Sequence, residues 1–278
     1  MKTTQILRQT ALISALLAVP LANNTFGAAV PVDPKTTITA TMDGGTAKTG
    51  NTWYEVGVNT AALTTGIKTG VIAGSGPSSD SLSTYLIGPA NGLNALVLDT
   101  AKKTGTLTFG RALSVTALSF AGASGNGAGT ITPTLHFSDS TTDTLAPLTV
   151  GDWFNVNPRV QTVSGRIDAG ANSFNNVNAD NPRVLAINDT LSAADAAKFI
   201  TSIDLSWTGG ASTHTAMFGV SGDFTGLGHF SAIPLAAGSL NQDIIVGASE
   251  VVVPEPSTIA LFGLGAVGLL VCYRRKRS

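Results

Sequence analysis

Apolar and polar residues alternate over several short stretches in the middle of the chain. The clearest stretch covers residues 131–137, and residues 203–207 and 216–220 follow the same rule. Because successive side chains of a strand point to opposite faces, this period of two predicts strands that are buried on one face. Pro133 lies inside the first stretch, and since proline cannot donate a hydrogen bond to a neighbouring strand, it predicts an edge position.

Turn signals separate these predicted strands. Residues 138–140, Ser-Asp-Ser, predict a hairpin after the first stretch. Residues 122–129 are rich in glycine, and because no helix follows them, they indicate a connection between strands rather than a phosphate-binding loop. A short helix is predicted at residues 192–198, where a serine N-cap precedes an acid three residues later.

Many short strands with frequent turns are typical of all-β proteins. The sequence therefore predicts a single jelly-roll or β-sandwich body over residues 30–250. A body of this length can bury a substantial hydrophobic core. No internal repeat or linker divides it into two domains.

The N-terminus has the pattern of a secretory signal peptide over residues 1–29. Lys2 and Arg8 supply the positive charge, an apolar run covers residues 11–19, and small residues at 27–29 offer a cleavage site. The alternative is a membrane anchor, but the apolar run is short for a membrane span. The pattern predicts export by Sec-type machinery and removal of this segment by signal peptidase.

The C-terminal segment, residues 251–278, has three parts in a fixed order. Pro254, Glu255 and Pro256 come first, and residues 257–273 follow without a charge. As a helix these 17 residues extend about 25 Å, slightly less than a hydrocarbon core of about 30 Å. They predict a transmembrane helix. Four basic residues then place the tail in the cytoplasm by the positive-inside rule: Arg274, Arg275, Lys276 and Arg277.

This ending resembles the PEP-CTERM sorting signal. The resemblance implies recognition by exosortase, a membrane enzyme that cleaves near Pro254, Glu255 and Pro256, which are then substrate residues. It also implies a protein of a Gram-negative bacterium that is held briefly in the inner membrane and then reaches the cell surface or extracellular matrix. Proteins of this kind are associated with exopolysaccharide and biofilm. An unprocessed single-pass anchor is the alternative.

The charge of the body argues against one class of partner. Between residues 30 and 253 the chain has 10 basic and 16 acidic residues, a net charge of −6. A nucleic-acid partner requires clustered positive charge, so none is expected. Cys272 is the sole cysteine and lies in the C-terminal apolar segment, so the body has no disulfide.

Tryptophans are the first candidates for ligand contact, because exposed indole rings stack on sugars. Trp53 and Trp153 are the possible ligand-facing residues, with packing in the core as the alternative. Trp207 is in register with Ile203 and Leu205, which indicates the core.

Catalytic chemistry is not indicated by the remaining residues. The three histidines lack metal-ligand spacing, and the body has only two glutamates, so no catalytic residue, metal centre or cofactor is predicted. Asp139 and Asp143 flank the predicted hairpin, where solvated turn residues are the usual case, although a structural calcium ion there is an alternative.

A second resemblance concerns the body. Residues 151–155, 181–185 and 201–207, together with Arg166 and Asp168, are similar to segments of galactose-binding-like jelly-roll modules. The resemblance implies a non-catalytic module that contacts carbohydrate or matrix, and exopolysaccharide is the expected partner. The alternatives are a secreted hydrolase acting on glycan and a filler protein of the matrix.

Overall fold

The structure covers most of the predicted body. The computed structural model describes residues 41–43, 50–54, 65–74, 82–88, 93–154, 156–175, 181–242 and 244–246. The predicted signal peptide and the whole C-terminal segment, with its sorting residues and basic tail, lie outside these described residues. Among the described residues, no helix is long and apolar enough to cross a membrane.

Strands dominate the described part of the chain. In chain order they are β1 (Asn51–Tyr54), β2 (Gly70–Ala73), β3 (Thr84–Ile87), β4 (Leu96–Leu98), β5 (Thr104–Leu113), β6 (Ala117–Gly125), β7 (Gly129–Phe137), β8 (Thr142–Thr144), β9 (Leu148–Val150), β10 (Arg159–Thr162), β11 (Arg166–Asp168), β12 (Ser173–Asn175), β13 (Arg183–Thr190), β14 (Ile200–Thr208), β15 (His214–Asp223), β16 (Ser231–Ile233) and β17 (Ile245–Val246). The described helix, α1 (Ala193–Ala196), begins at the predicted N-cap, Ser192, whose side chain accepts a hydrogen bond from the Asp195 N–H.

Two large sheets form the body. A six-stranded sheet has the order β10-β13-β6-β15-β16, with β4 also paired to β15. A five-stranded sheet has the order β5-β14-β7-β8, with β9 also paired to β7. Two smaller sheets, β12-β11-β1-β17 and β2-β3, complete the described strands. The prediction of an all-β, sandwich-like body is therefore confirmed.

The first core lies between the two large sheets. Leu118 and Phe120 of β6 pack in one buried cluster with Ile131 and Leu135 of β7 and with Ile203 of β14. Strands β5, β7 and β14 contribute alternate side chains to this core, which is the pattern that the sequence predicted for residues 131–137 and 203–207.

A second core covers the other face of the six-stranded sheet. Ala121 of β6 and Phe218 of β15 pack there with Trp53, Trp153 and Ile87. All nine residues of β6 are buried as a result. The small sheets thus add a third layer, which the sequence analysis did not predict.

The edge position predicted from Pro133 is wrong. Strand β7 pairs with β14 on one side and with β8 and β9 on the other. The Pro133 carbonyl accepts a hydrogen bond from the Leu145 N–H, just beyond the end of β8. The nitrogen and the carbonyl of one strand residue point to the same side, so the nitrogen of Pro133 also faces the side of β8 and β9. It lies at the break between these two strands, where the absence of an N–H leaves no acceptor of a paired strand without its donor.

The glycine-rich stretch is largely strand. Residues 122–125 complete β6, and Asn126 and Gly127 form the turn with positive φ angles of 58° and 99°. Strand β7 then starts at Gly129. The connection is thus a tight turn between strands, as predicted, and it leads from the six-stranded sheet to the five-stranded one.

Gly129 is required for close packing of the two large sheets. A Cβ atom there would meet Thr215 Oγ1 and would lie 2.7 Å from Trp207 Nε1, which donates a hydrogen bond to that same oxygen at 2.8 Å. We expect Gly129→Ala to lower the free energy of unfolding by about 2 kcal/mol, the usual cost of overpacking. Urea denaturation measures this value.

Gly110→Ala is the matched control. A Cβ atom at this exposed glycine of β5 has its nearest neighbour at 3.5 Å, an ordinary contact. We expect no loss of stability from this change. Equal losses for the two variants would contradict the packing argument.

Candidate functional site

Both tryptophans proposed as ligand-facing lie in the second core. Trp53 and Trp153 are each 0% exposed. Their rings meet edge to face with centroids 4.9 Å apart, and Trp53 also packs against Phe218. Neither indole presents a face on which a sugar could stack, so the structure supports the alternative of core packing.

A buried ion pair holds Trp153 in place. Asp43 Oδ2 accepts hydrogen bonds from Arg166 Nη1 at 2.7 Å and from Trp153 Nε1 at 3.0 Å. Asn51 Nδ2 donates to the other carboxylate oxygen at 2.7 Å. The Arg166 guanidinium also lies 5.6 Å from the Trp153 ring and 5.1 Å from the Phe154 ring. The carboxylate, the guanidinium and the rings are thus in contact with one another inside the protein, which indicates a structural role.

The turn aspartates are engaged in local hydrogen bonds. Asp139 Oδ1 accepts from the N–H and the hydroxyl of Thr141, and the hydroxyl bond is the main cause that lowers the pKa of Asp139. Asp143 accepts from the Thr144 N–H. In the described part of the chain, no group of three or more His, Cys, Asp or Glu side chains is placed to hold a metal ion.

An apolar cleft of about 570 Å³ lies beside β3 and the segment after β16. Ile87, Phe218 and Leu235 are among its lining residues. Residues 89–92 connect two other lining residues and lie outside the described part of the chain. We therefore assign no ligand to this cleft.

The outward face of the five-stranded sheet has an unusual composition. Its strands bury alternate apolar side chains, so the intervening positions point away from the core. We call this surface the outer face. Apart from the far end of β5, where Gly110, Arg111 and Ala112 are exposed, all but two residues at these positions carry a hydroxyl group. They are Thr104, Thr106 and Thr108 of β5; Ser202, Asp204, Ser206 and Thr208 of β14; Thr130, Thr132, Thr134 and His136 of β7; Thr142 and Thr144 of β8; and Thr149 of β9.

Strand register places these side chains in rows across the sheet. One row reads Thr106, Asp204, Thr134 and Thr144 from β5 to β8. Within it, Thr106 Oγ1 donates to Asp204 Oδ1 at 2.6 Å, and the hydroxyls of Thr134 and Thr144 are 3.0 Å apart. The neighbouring row includes His136. The outer face is thus an ordered array of hydroxyl groups.

One hydrogen-bonded pair of ionisable side chains lies within the array. His136 Nε2 is 2.8 Å from Asp204 Oδ2, and these side chains are 37% and 50% exposed. The hydrogen bond from Thr106 is the largest cause that lowers the pKa of Asp204; burial raises it, and His136 adds to the lowering. Asp204 is therefore an ionised acceptor at neutral pH rather than a proton donor.

The sequence analysis did not single out the outer face. The signal was available, because threonine or serine occupies every second position over residues 104–108 and 130–134. However, threonine is also a strong strand former, so each segment alone indicates only a strand. The register between strands that lie far apart in the chain is what turns separate threonines into one surface.

Comparison with known proteins identifies the C-terminal segment. A family model described as the PEP-CTERM protein-sorting motif matches residues 252–276, which include Pro254, Glu255 and Pro256. The predicted sorting motif is confirmed, and it indicates an exported protein with exosortase as its processing partner. Comparison with curated proteins finds no match.

Proposed function

We propose that this protein, which carries a PEP-CTERM sorting motif, is exported, anchored briefly in the inner membrane and then released by exosortase to the cell surface or matrix. The match over residues 252–276 carries this proposal. The signal-peptide pattern of residues 1–29 supports it, because it directs the body to the same side of the membrane. Sec-type machinery and signal peptidase would act first.

The sorting residues suit a processing enzyme for a physical reason. Proline restricts the residue before it to extended geometry, so Pro254 and Pro256 keep an apolar helix from continuing towards the body. An extended segment next to the membrane is a form of substrate that an enzyme can bind along its backbone.

Replacing all three sorting residues tests this proposal. We expect the triple variant P254A/E255A/P256A to retain residues 257–278, whereas the wild-type protein at the cell surface lacks them. Intact-mass analysis of the surface protein and the membrane fraction from the native bacterium measures the difference. Glu250→Ala is the control, because it removes a nearby acid outside the matched segment and should leave processing unchanged. A wild-type surface protein that still carries residues 257–278 would instead support the unprocessed single-pass anchor.

We propose a non-catalytic role for the body, as a jelly-roll-like module that contacts exopolysaccharide in a biofilm matrix. The hydroxyl array of the outer face supports this role. A glycosidase needs a carboxyl group with a raised pKa as general acid beside a second carboxylate. On the outer face the pKa of Asp204 is lowered. The pKa of Asp189 is raised by burial, but Asp189 lies at the end of β13 in the other large sheet.

The hydrolase alternative makes a different prediction. Release of reducing ends from the organism's own exopolysaccharide, abolished by Asp189→Asn or Asp204→Asn, would favour it over the non-catalytic module. We also propose a structural calcium ion. The same assay, run with added calcium and with a chelator, tests whether calcium changes the activity.

A further inference from the structure

We infer that the outer face is the binding site of this protein for an uncharged polysaccharide. This inference rests on the proposed matrix role and adds to it the surface and the chemical class of the partner. Four observations carry it: the hydroxyl content of the face, its charge, its dimensions and its register.

Hydroxyl groups match the chemistry of a sugar chain. Each threonine or serine hydroxyl donates one hydrogen bond and accepts two, as does each hydroxyl of a sugar ring. Thr134 and Thr144 bond to each other and still have capacity left for a ligand. Such a surface can therefore donate hydrogen bonds to a polymer of hydroxyl groups and accept them from it, without leaving donors or acceptors of either partner unpaired.

The charge of the outer face favours an uncharged polymer. None of the outward positions given above holds a lysine or an arginine, and the exposed Arg111 of β5 lies beyond Thr108, the last of its threonines. His136 Nε2 already lies 2.8 Å from Asp204 Oδ2, so the two side chains are hydrogen-bonded to each other. The body between residues 30 and 253 carries a net charge of −6, which further opposes an anionic polymer.

The dimensions of the outer face suit an extended chain. A row of four side chains crosses three strand spacings of about 4.8 Å, or about 14 Å in all. The next row lies two residues along each strand, so the same donors and acceptors recur. A polymer with a repeating unit can therefore find equivalent contacts in more than one register.

Binding on such a face should be weak for each row and stronger for long chains. A hydrogen bond exposed to water contributes little net free energy, and the outward positions of this face hold no aromatic ring other than the imidazole of His136. A polymer that contacts several rows gains from high effective concentration. We expect affinity to rise with the length of the glycan.

Affinity electrophoresis tests the inference with the full chain purified in detergent. Native gels contain hydroxyethyl cellulose as the uncharged probe, alginate as the anionic probe or chitosan as the cationic probe. We expect retardation by hydroxyethyl cellulose that increases with its chain length, and none by alginate. Retardation by alginate alone would overturn the assignment to an uncharged polymer.

Two variants locate the site. The triple variant T132V/T134V/T144V removes three hydroxyls but keeps the shape of the side chains and their strand preference. We expect it to raise the apparent dissociation constant for hydroxyethyl cellulose about tenfold, which equals about 1.4 kcal/mol. Thr134→Lys, which adds bulk and charge to the centre of the face, should abolish retardation.

Thr190→Val is the matched control, because Thr190 is an exposed strand threonine of the other large sheet. It should bind as the wild type does, and thermal denaturation checks that every variant is folded. If wild-type binding persists in both outer-face variants, the site lies elsewhere while the matrix role stands. If no uncharged, anionic or native polysaccharide retards the wild type, the matrix role itself fails.

Discussion

Replacing Asp223 by alanine lowers the free energy of unfolding by about 3 kcal/mol, because it removes a buried carboxylate that accepts four hydrogen bonds from the following turn. Asp223 is 2% exposed and is the last residue of β15, directly before the turn that leads to β16. Its carboxylate accepts hydrogen bonds from the N–H groups of Thr225, Gly226 and Gly228 and from the Thr225 hydroxyl. Gly226 and Gly228 have positive φ angles of 74° and 81°, so this turn depends on the carboxylate and on glycine together.

Asp139→Ala is the control for this prediction. Asp139 accepts from the N–H and hydroxyl of Thr141 just as Asp223 does from Thr225, but it lies in an exposed hairpin turn. Water can replace its hydrogen bonds, so we expect little change in stability. Chemical denaturation of the two variants at pH 7 measures the contrast, and equal effects would contradict the argument from burial.

The same carboxylate makes stability depend on pH. Burial alone raises the pKa of Asp223, but the hydrogen bonds from Thr225, Gly228 and Gly226 outweigh it and lower the pKa from 3.8 to about 2. Because the pKa is lowered in the folded state, the stabilisation is complete above about pH 4 and is lost as the pH falls towards 2. The lowering of the pKa from 3.8 to about 2 corresponds to at most about 2–3 kcal/mol of stabilisation. In Asp223→Asn this part of the acid sensitivity should disappear.

Removing Asp43 has the second large effect that we expect. Asp43→Ala leaves the Arg166 guanidinium and the Trp153 N–H without their shared acceptor, in a site where the Asp43 and Arg166 side chains are 12% and 17% exposed. Loss of one partner of a buried ion pair costs about 3–4 kcal/mol. Urea denaturation measures the loss, and near-ultraviolet circular dichroism reports the environment of the tryptophans.

A double-mutant cycle separates the ion pair from general disruption. Arg166→Met replaces the cation by an apolar side chain of similar length, so the double variant with Asp43→Ala leaves no unpaired charge. We expect a coupling free energy of about 2 kcal/mol between the two positions. Lys198→Met, at an exposed pair where Nζ lies 4.0 Å from Asp139, should change stability little. Strict additivity at positions 43 and 166 would refute the coupling.

The fold could be predicted from the sequence where strands are buried on one face. Residues 131–137 and 203–207 alternate because one side faces the first core and the other faces water. Strand β6 gave no such signal, since both its faces are buried and small residues occupy the second core side. The third layer was missed for this reason.

The candidate site was harder to predict than the fold. Trp53 and Trp153 are separated by almost a hundred residues, and nothing local in the sequence shows that they pack against each other. The Asp43 and Arg166 pair is equally distant. At the C-terminus, by contrast, the sorting motif is contiguous, and its residues could be identified without any knowledge of the fold.

The central position of β6 has a consequence for the order of folding. Its neighbours in the sheet are β13 and β15. Phe120 therefore cannot form both of its strand pairings until Ile187 and Val220 have been synthesised. Pairings between such distant segments form slowly, because closing the intervening chain costs entropy before any contact stabilises it. The six-stranded sheet therefore cannot be completed until synthesis has passed residue 223, the last residue of β15.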